Sequence, residues 1–260
     1  MNFLDMLSGA EPLDCGFRLA IPEDWHQGRT AYGGLSAALA LEAARTVGGA
    51  SLPPLRSALV SFVGPLFGTV EARARTLRVG RNATWISADI LRDGEVGLTA
   101  TFVFMGPVPS SLHLNDRPLP AGLVPVDQAR ERVSPQAPVF LRENFETRYA
   151  MPRDAQPSAE ICLWVRPRAY AGIDPATALL LSADALPPAV FPLLAKPAPI
   201  SSMTWQANFL SPAPVTSDGW WLLRSRGDYA ENGCASEALE GWSLDGAPVL
   251  SGMQSIAVFG

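Results

Sequence analysis

The amino-acid sequence predicts an α+β chain in which one unit, a buried helix followed by four antiparallel strands, is used twice. Three observations predict it: a repeated Phe-to-Pro spacing, a repeated Asp-Gly turn, and an apolar helical segment ahead of each set of strands. The chain has 260 residues, of which 48% are hydrophobic and 17% charged. Its length allows one large domain or two small ones, and its apolar content is ample for a core.

The first two of these observations concern the ends of predicted strands. Phe62 precedes Pro65 as Phe209 precedes Pro212, so the same spacing recurs in both halves. An Asp-Gly step then separates two alternating runs, at Asp93 in the first half. The same step recurs at Asp245 in the second half. Asp-Gly between alternating runs predicts a tight hairpin, because both turn positions must tolerate a positive φ.

Alternating apolar and polar residues on either side of these turns predict four strands per half. In the first half they are Leu55–Val63, Val70–Arg78, Ala83–Leu91 and Val96–Phe104. In the second half they are Met203–Leu210, Trp220–Asp228, Cys234–Leu244 and Val249–Phe259. Short strands near Phe17–Ile21 and at Glu160–Arg168 complete the two halves.

Each set of strands follows a helical pattern. Gly34–Val47 is rich in alanine and leucine, and Asp174–Leu186 opens with an N-cap aspartate and a proline at the first helical position. Both helices are apolar most of the way round, which predicts that a sheet wraps each of them. A sheet curled around one apolar helix is the hotdog fold, so the chain is predicted to be a double hotdog of two tandem repeats. The alternative is an ordinary α+β domain whose halves resemble each other by chance.

Proline density divides the chain. Residues 107–157 are rich in proline, which cannot sustain central strands, and they are predicted to form a connector with one short helix at Val126–Val133. The predicted organisation is therefore a first hotdog at residues 1–106, a connector at 107–157 and a second hotdog at 158–260.

Charge and rare residues exclude several functions. The net charge is −5 with a single lysine and no basic stripe, so nucleic-acid binding is not expected. No apolar run is long enough for a membrane span, and the N-terminus has no basic region typical of a signal peptide. Three widely spaced cysteines indicate a reducing compartment, so we expect a cytoplasmic protein. Only two histidines are present, which excludes a His-rich metal centre. We expect no metal and no cofactor.

The chain resembles the bacterial acyl-CoA thioesterase II-like family of double-hotdog proteins. The resemblance depends on the order of four features: the run Trp25–Gly34 leading into the first helix, Phe-Val-Gly-Pro at 62–65, both Asp-Gly hairpins, and Ser251–Gln254 in the last strand. It implies hydrolysis of acyl-CoA to free fatty acid and coenzyme A. It also implies that a carboxylate, a hydroxyl and a glutamine from the second hotdog activate a water.

Matching the family pattern position by position assigns these three groups. The glutamine falls on Gln254, the carboxylate position holds Thr204, and the hydroxyl position holds Asp228. Carboxylate and hydroxyl are thus exchanged, and the three groups are expected to surround one water if the strands lie side by side. The plainer alternatives are that Asp228 is a solvated turn former and Thr204 an ordinary strand residue.

The helix that begins near Gly33 and Gly34 is expected to bind the oxyanion through its backbone N–H groups, with Tyr32 beside them. His26 precedes this segment and is a candidate general base. Asn208 shares a strand face with Thr204 and is a candidate hydrogen-bond donor to the substrate.

Two other functions remain open. A non-catalytic acyl-CoA or fatty-acyl binding protein on the same scaffold is favoured if Thr204 marks a lost carboxylate. An enoyl-CoA hydratase-type hotdog ranks lower, because such enzymes rely on an Asp-His pair at the helix mouth. The outer strand edges leave a homo-oligomer such as a dimer open.

Overall fold

Two halves of the chain build one continuous twelve-stranded antiparallel sheet in mirrored order. The computed structural model describes residues 1–132, 134–152, 156–196 and 198–259. The strands of the first half are β1 (Glu11–Leu13), β2 (Gly16–Ile21), β3 (His26–Gln27), β4 (Thr30–Ala31), β5 (Leu55–Phe62), β6 (Gly68–Val79), β7 (Ala83–Arg92) and β8 (Glu95–Met105). Those of the second half are β9 (Phe145–Tyr149), β10 (Glu160–Pro167), β11 (Ile200–Phe209), β12 (Trp221–Glu231), β13 (Cys234–Ser243) and β14 (Pro248–Val258). The helices are α1 (Phe3–Ser8), α2 (Gly33–Gly48), α3 (Val139–Asn144) and α4 (Pro175–Ala183).

The strand order confirms the predicted duplication. From the outside inwards the first half contributes β1-β2-β6-β7-β8-β5 and the second half β9-β10-β12-β13-β14-β11. The halves meet where β5 pairs antiparallel with β11, from Thr204 opposite Ser61 to Asn208 opposite Ser57. β3 and β4 form a separate two-stranded hairpin ahead of α2.

The two long helices lie on the same side of the sheet. α2 packs on β2, β6, β7 and β8, while α4 packs on β10 and β12, and the two helices also contact each other. Leu35, Leu39 and Leu41 of α2 are fully buried, as are Leu179 to Leu181 of α4. This confirms the double hotdog, in which each half supplies a central helix and the sheet that covers it.

The Asp-Gly turns differ from each other. Asp93 and Gly94 both have positive φ, as a two-residue hairpin turn requires. In the second turn only Gly246 has a positive φ. The loop here is longer, with four residues, 244–247, between the end of β13 and the start of β14.

The connector is more structured than predicted. The helix predicted at Val126–Val133 is wrong for residues 126–132, which form turns and an isolated bridge from Glu131 to Arg148, and Val133 lies outside the described residues. The N–H of Arg132 donates to Thr147 at 2.8 Å, so pairing with β9 keeps this backbone extended. The boundaries at residues 106 and 157 stay a prediction.

Helices α2 and α4 are antiparallel and joined by polar contacts at both ends. At one end Arg45 donates to Thr177 and to Asp174, the N-cap of α4. At the other end the Tyr32 hydroxyl donates to the Leu181 carbonyl at 2.8 Å. That carbonyl lies in the last turn of α4, where helical carbonyls lack an intrahelical partner, so Tyr32 satisfies a buried acceptor.

Tyr32→Phe is expected to lower the free energy of unfolding by about 1–2 kcal/mol, because it leaves this buried carbonyl without a donor. Urea unfolding followed by circular dichroism measures the change. Tyr229→Phe is the matched control, since Tyr229 is more than half exposed. Equal urea midpoints for Tyr32→Phe and the wild type would show that the hydroxyl contributes nothing.

Candidate functional site

A β-bulge in β11 turns a serine towards the helices. The register of β11 against β14 shifts between Ser202, which pairs with Ile256, and Thr204, which pairs with Ser255. The extra residue, Met203, reverses the alternation of side chains. Ser202 therefore shares the inner face with the buried Trp205, while Thr204 is exposed on the outer face.

Gln254 holds this serine and a carboxylate together. Its side chain is 6% exposed on the inner face of β14, and its Nε2 donates to Ser202 Oγ at 2.8 Å and to Asp184 Oδ1 at 3.0 Å. A buried amide requires such partners, because an unpaired polar group in the core is costly. Asp184, Ser202 and Gln254 thus form one hydrogen-bonded cluster, which we call the site triad.

Asp184 connects the triad to the start of α2. It is the residue that caps the C-terminal end of α4, and it accepts a hydrogen bond from the backbone N–H of Gly34. Gly33 lies so close that an added Cβ would be 2.6 Å from Asp184 Oδ2. A side chain at Gly33 is therefore incompatible with the carboxylate in its observed position.

Burial raises the pKa of Asp184 to about 7. The hydrogen bonds from the Gln254 side chain and from the Gly34 N–H lower that pKa and offset part of the effect of burial. A carboxyl whose pKa lies near neutral pH is suited to accept and return a proton, and such shifts concentrate at functional sites.

The triad opens onto a cavity of ≈ 410 Å³ between the two halves. Asp184, Ser202 and Gln254 contribute to its wall from the second half. The first half contributes Gly33 and Ser36 from α2, residues 62–66 at the end of β5 and just after it, and the hairpin of β3 and β4. A ligand in this cavity therefore contacts both repeats.

The equivalent place in the first half holds no such triad. Phe62 pairs with Leu98 as Phe209 pairs with Leu250, so the residue that corresponds to Gln254 is Phe102.

The residue that corresponds to Ser202 is found from the bulges. The bulge of β5 lies between Leu55 and Ser57, and Leu55 corresponds to Ser202. Leu55 and Phe102 are both buried, and the C-cap of α2 is Gly49 where α4 has Asp184. The carboxylate, hydroxyl and amide thus occur together only in the second of these two equivalent places.

Three of the sequence-predicted residues lie together at this site, and two do not. Gln254, Gly33 and Gly34 are brought together around Asp184. Thr204 is exposed because of the bulge, and Asp228 is exposed at a second bulge, between Gly227 and Tyr229. The expected cluster of Asp228, Thr204 and Gln254 is therefore not formed.

The remaining predicted residues lie outside the lining of the cavity. Tyr32 is fully buried and stacked on Phe140, with ring centroids 4.0 Å apart, and burial raises its pKa well above the usual range. His26 lies on β3 with its Nε2 buried, and neighbouring Gln27 lines the cavity instead. Asn208 is on the outer face and accepts from Ser57 at 3.2 Å, because β5 pairs with β11 there.

Sequence reasoning missed two members of the triad. Asp184 is the single acid in the predicted helix after its N-cap, within an otherwise apolar run, and that pattern was a usable signal. Ser202 carried no signal, because the bulge that turns it inward is a property of strand pairing. Within the described residues no helix is long and apolar enough to cross a membrane. The same residues contain no cluster of three or more potential metal ligands.

Comparisons with solved structures agree with this architecture. A hot dog fold protein of unknown function from Alicyclobacillus acidocaldarius has a TM-score of 0.87 at 21% identity, covering 100% of this chain and 99% of its own. A putative thioesterase II from Thermobifida fusca has a TM-score of 0.83 at 21% identity, covering 99% and 98%. An acyl-CoA thioesterase II from Mycobacterium marinum has a TM-score of 0.78 at 18% identity, covering 98% and 97%. At these identities the likeness shows the fold.

Family models identify the chain more specifically. No curated protein matches it. The model of the acyl-CoA thioesterase N-terminal domain matches residues 21–105, and the model of the C-terminal domain matches residues 111–258. The resemblance drawn from the sequence is thereby confirmed, and the chain belongs to the acyl-CoA thioesterase family.

Proposed function

We propose that the protein hydrolyses fatty acyl-CoA thioesters to free fatty acid and coenzyme A, with Asp184 as the general base. The observation that carries this proposal is the Asp184 carboxylate, bonded to Gln254 and to the Gly34 N–H beside Ser202 at the wall of the cavity. Membership of the thioesterase family supports the reaction class. The choice of Asp184, Ser202 and Gln254 depends on their geometry alone.

The substrate carbonyl is positioned at the start of α2. The first N–H groups of a helix have no intrahelical partner, and together they carry a partial positive charge. Gly34 donates to Asp184, while Gly33 lines the cavity and leaves its backbone accessible to a ligand. The oxyanion formed during attack is stabilised at this helix end.

The triad orients and deprotonates the attacking water. Ser202 Oγ and Gln254 hold the water against Asp184, which takes its proton as the oxygen bonds to the thioester carbon. The tetrahedral oxyanion then collapses, the carbon–sulfur bond breaks, and the thiolate of coenzyme A takes the proton back from Asp184. Atoms and charge balance without any further reactant.

The buried carboxylate of Asp184 supports hydrolysis over a non-catalytic binding protein. That alternative depended on the loss of a carboxylate at Thr204, whereas Asp184 places one beside Gln254. The hydratase alternative needs an Asp-His pair, and neither His26 nor His113 belongs to the lining of this cavity. The proposal also includes a role in fatty acid metabolism, a cytoplasmic location and assembly into a homo-oligomer. These three points are supported by the sequence alone.

Asp184→Asn is expected to lower kcat/KM for acyl-CoA hydrolysis by ~100-fold or more, because the amide cannot accept the proton of the water. Release of free thiol from acyl-CoA esters of several chain lengths measures the rate. Asp93→Asn is the matched control and is expected to keep kcat/KM within about twofold, since Asp93 is exposed in the hairpin turn between β7 and β8 of the first half. Tight binding of acyl-CoA by the wild type without turnover would contradict the proposal.

Gln254→Ala and Ser202→Ala are each expected to lower kcat by ~10-fold or more, because each removes a group that holds the water. Gln206→Ala and Thr204→Ala are matched controls on the outer face of β11. Circular dichroism checks that all four variants fold. If the controls lose as much activity as the triad variants, the water is held elsewhere.

The rate is expected to rise with pH through an apparent pKa of about 7, because burial raises the pKa of Asp184 to about this value. Below this pH the carboxyl is protonated and cannot act as a base, so kcat/KM falls about tenfold for each pH unit. Because the Gln254 hydrogen bond lowers the pKa of Asp184, Gln254→Ala is expected to move the acidic limb to higher pH. A profile that stays flat from pH 5 to 9 would exclude Asp184 as the base.

A further inference from the structure

A second buried carboxylate lies beside the site triad and has no part in the mechanism above. Glu237 is 2% exposed on the inner face of β13. It pairs directly with Gln254 across β13 and β14, and with Gly227 across β12 and β13. Side chains of directly paired residues on one face are neighbours, so Glu237 adjoins the amide that holds Asp184.

Glu237 also holds the segment that follows Asp184. Its Oε2 accepts the backbone N–H of Ala189 at 2.6 Å. Pro187 and Pro188 have no N–H, so Ala189 is the first residue after Leu186 that can donate from the backbone. Leu186 and Pro188 both line the cavity, and this hydrogen bond therefore fixes one wall of it against the sheet.

The surroundings of Glu237 are acidic. Two charged groups face it: Asp184 at the end of α4 and Asp228 on β12. From β14 it meets the uncharged Gln254, and from the segment after α4 the Ala189 N–H. In the part of the chain that the structure describes, no cation forms an ion pair with it. Burial, together with these two negative charges and offset in part by the Ala189 hydrogen bond, raises the pKa of Glu237 to about 7. Coulomb repulsion is mutual, so a charge on Glu237 also disfavours a charge on Asp184.

We propose that Glu237 is a positioning residue for Asp184, which it holds through the Ala189 backbone and whose protonation it sets through its own charge. This inference rests on the proposed function of Asp184 as a base. Glu237 touches no reacting atom, and its effect reaches the water only through Asp184 and the cavity wall.

Two substitutions separate the two parts of this role. Glu237→Gln keeps an oxygen acceptor for the Ala189 N–H and removes the charge, so the acidic limb of the rate profile is expected to move to lower pH. Glu237→Leu removes the acceptor as well, and kcat is expected to fall by ~10-fold while KM changes less, because Asp184 is no longer held in place. Glu95→Gln is the matched control for the first variant, since Glu95 is exposed at the start of β8.

The deciding experiment measures the titration of Asp184 itself. Aspartate labelled with ¹³C at the side-chain carboxyl is followed by NMR from pH 4 to 9, and Asp184→Asn identifies the resonance. In Glu237→Gln the midpoint of Asp184 is expected to lie about 0.5 pH unit or more below that of the wild type, with Glu95→Gln unchanged. A purely structural Glu237 would change the melting temperature and leave this midpoint where it is.

An unchanged Asp184 midpoint in Glu237→Gln overturns the proposal, and so does an unchanged kcat in Glu237→Leu. Failure of the proposed function looks different, because the wild type would then release no thiol from any acyl-CoA ester. In that case the NMR midpoint still decides whether the two carboxylates are coupled.

Discussion

The contact between the start of α2 and the end of α4 is the constraint on which the site depends. The positive end of one helix dipole lies beside the negative end of the other, an arrangement that favours both. Tyr32 donates to the Leu181 carbonyl across this contact, and Gly34 donates to Asp184. A carboxylate at the end of α4 is thereby brought to a helix N-terminus that belongs to the other repeat.

This contact exists because β5 and β11 join the two repeats into one sheet. Antiparallel pairing at the centre places the two units head to tail, so each helix start faces the other helix end. The fold therefore offers two equivalent places for a site. Only in the second repeat is this position lined by a carboxylate, a hydroxyl and an amide. In the first repeat the apolar side chains of Leu55 and Phe102 occupy it. The two repeats therefore share a fold but differ in the chemistry of their equivalent positions.

Electrostatics in the second repeat work against stability. Asp184 and Glu237 are two carboxyls in a largely apolar interior, and burial raises the pKa of both to about 7. Hydrogen bonds from Gln254, Gly34 and Ala189 offset part of this cost. Buried acids with so little compensation are unfavourable for folding, and acids with pKa values shifted in this way concentrate at functional sites. The glycine at position 33 belongs to the same arrangement, since a Cβ there would collide with the carboxylate.

Much of the fold was readable from local patterns. The strand alternation, the two apolar helices and the Phe-to-Pro spacing predicted the elements of both repeats, because side-chain periodicity reports directly on which face is buried. The connector was predicted less well. Its prolines predicted loops, but the pairing of Arg132 with Thr147 is a long-range contact that no local pattern contains.

The residues of the candidate site also fall into those that local sequence patterns predict and those that only long-range contacts reveal. By itself the sequence predicted Gln254, Gly33 and Gly34 as candidate site residues, because an amide in an apolar strand and glycines ahead of a helix stand out from their neighbours. Only the tertiary structure decided that Asp184 and Ser202 join Gln254, and that Thr204 and Asp228 do not. The physical reason is the bulge at Met203, which shifts the alternation by one residue and exchanges the faces of Ser202 and Thr204. Helix packing, which sequence periodicity does not encode, supplied the carboxylate.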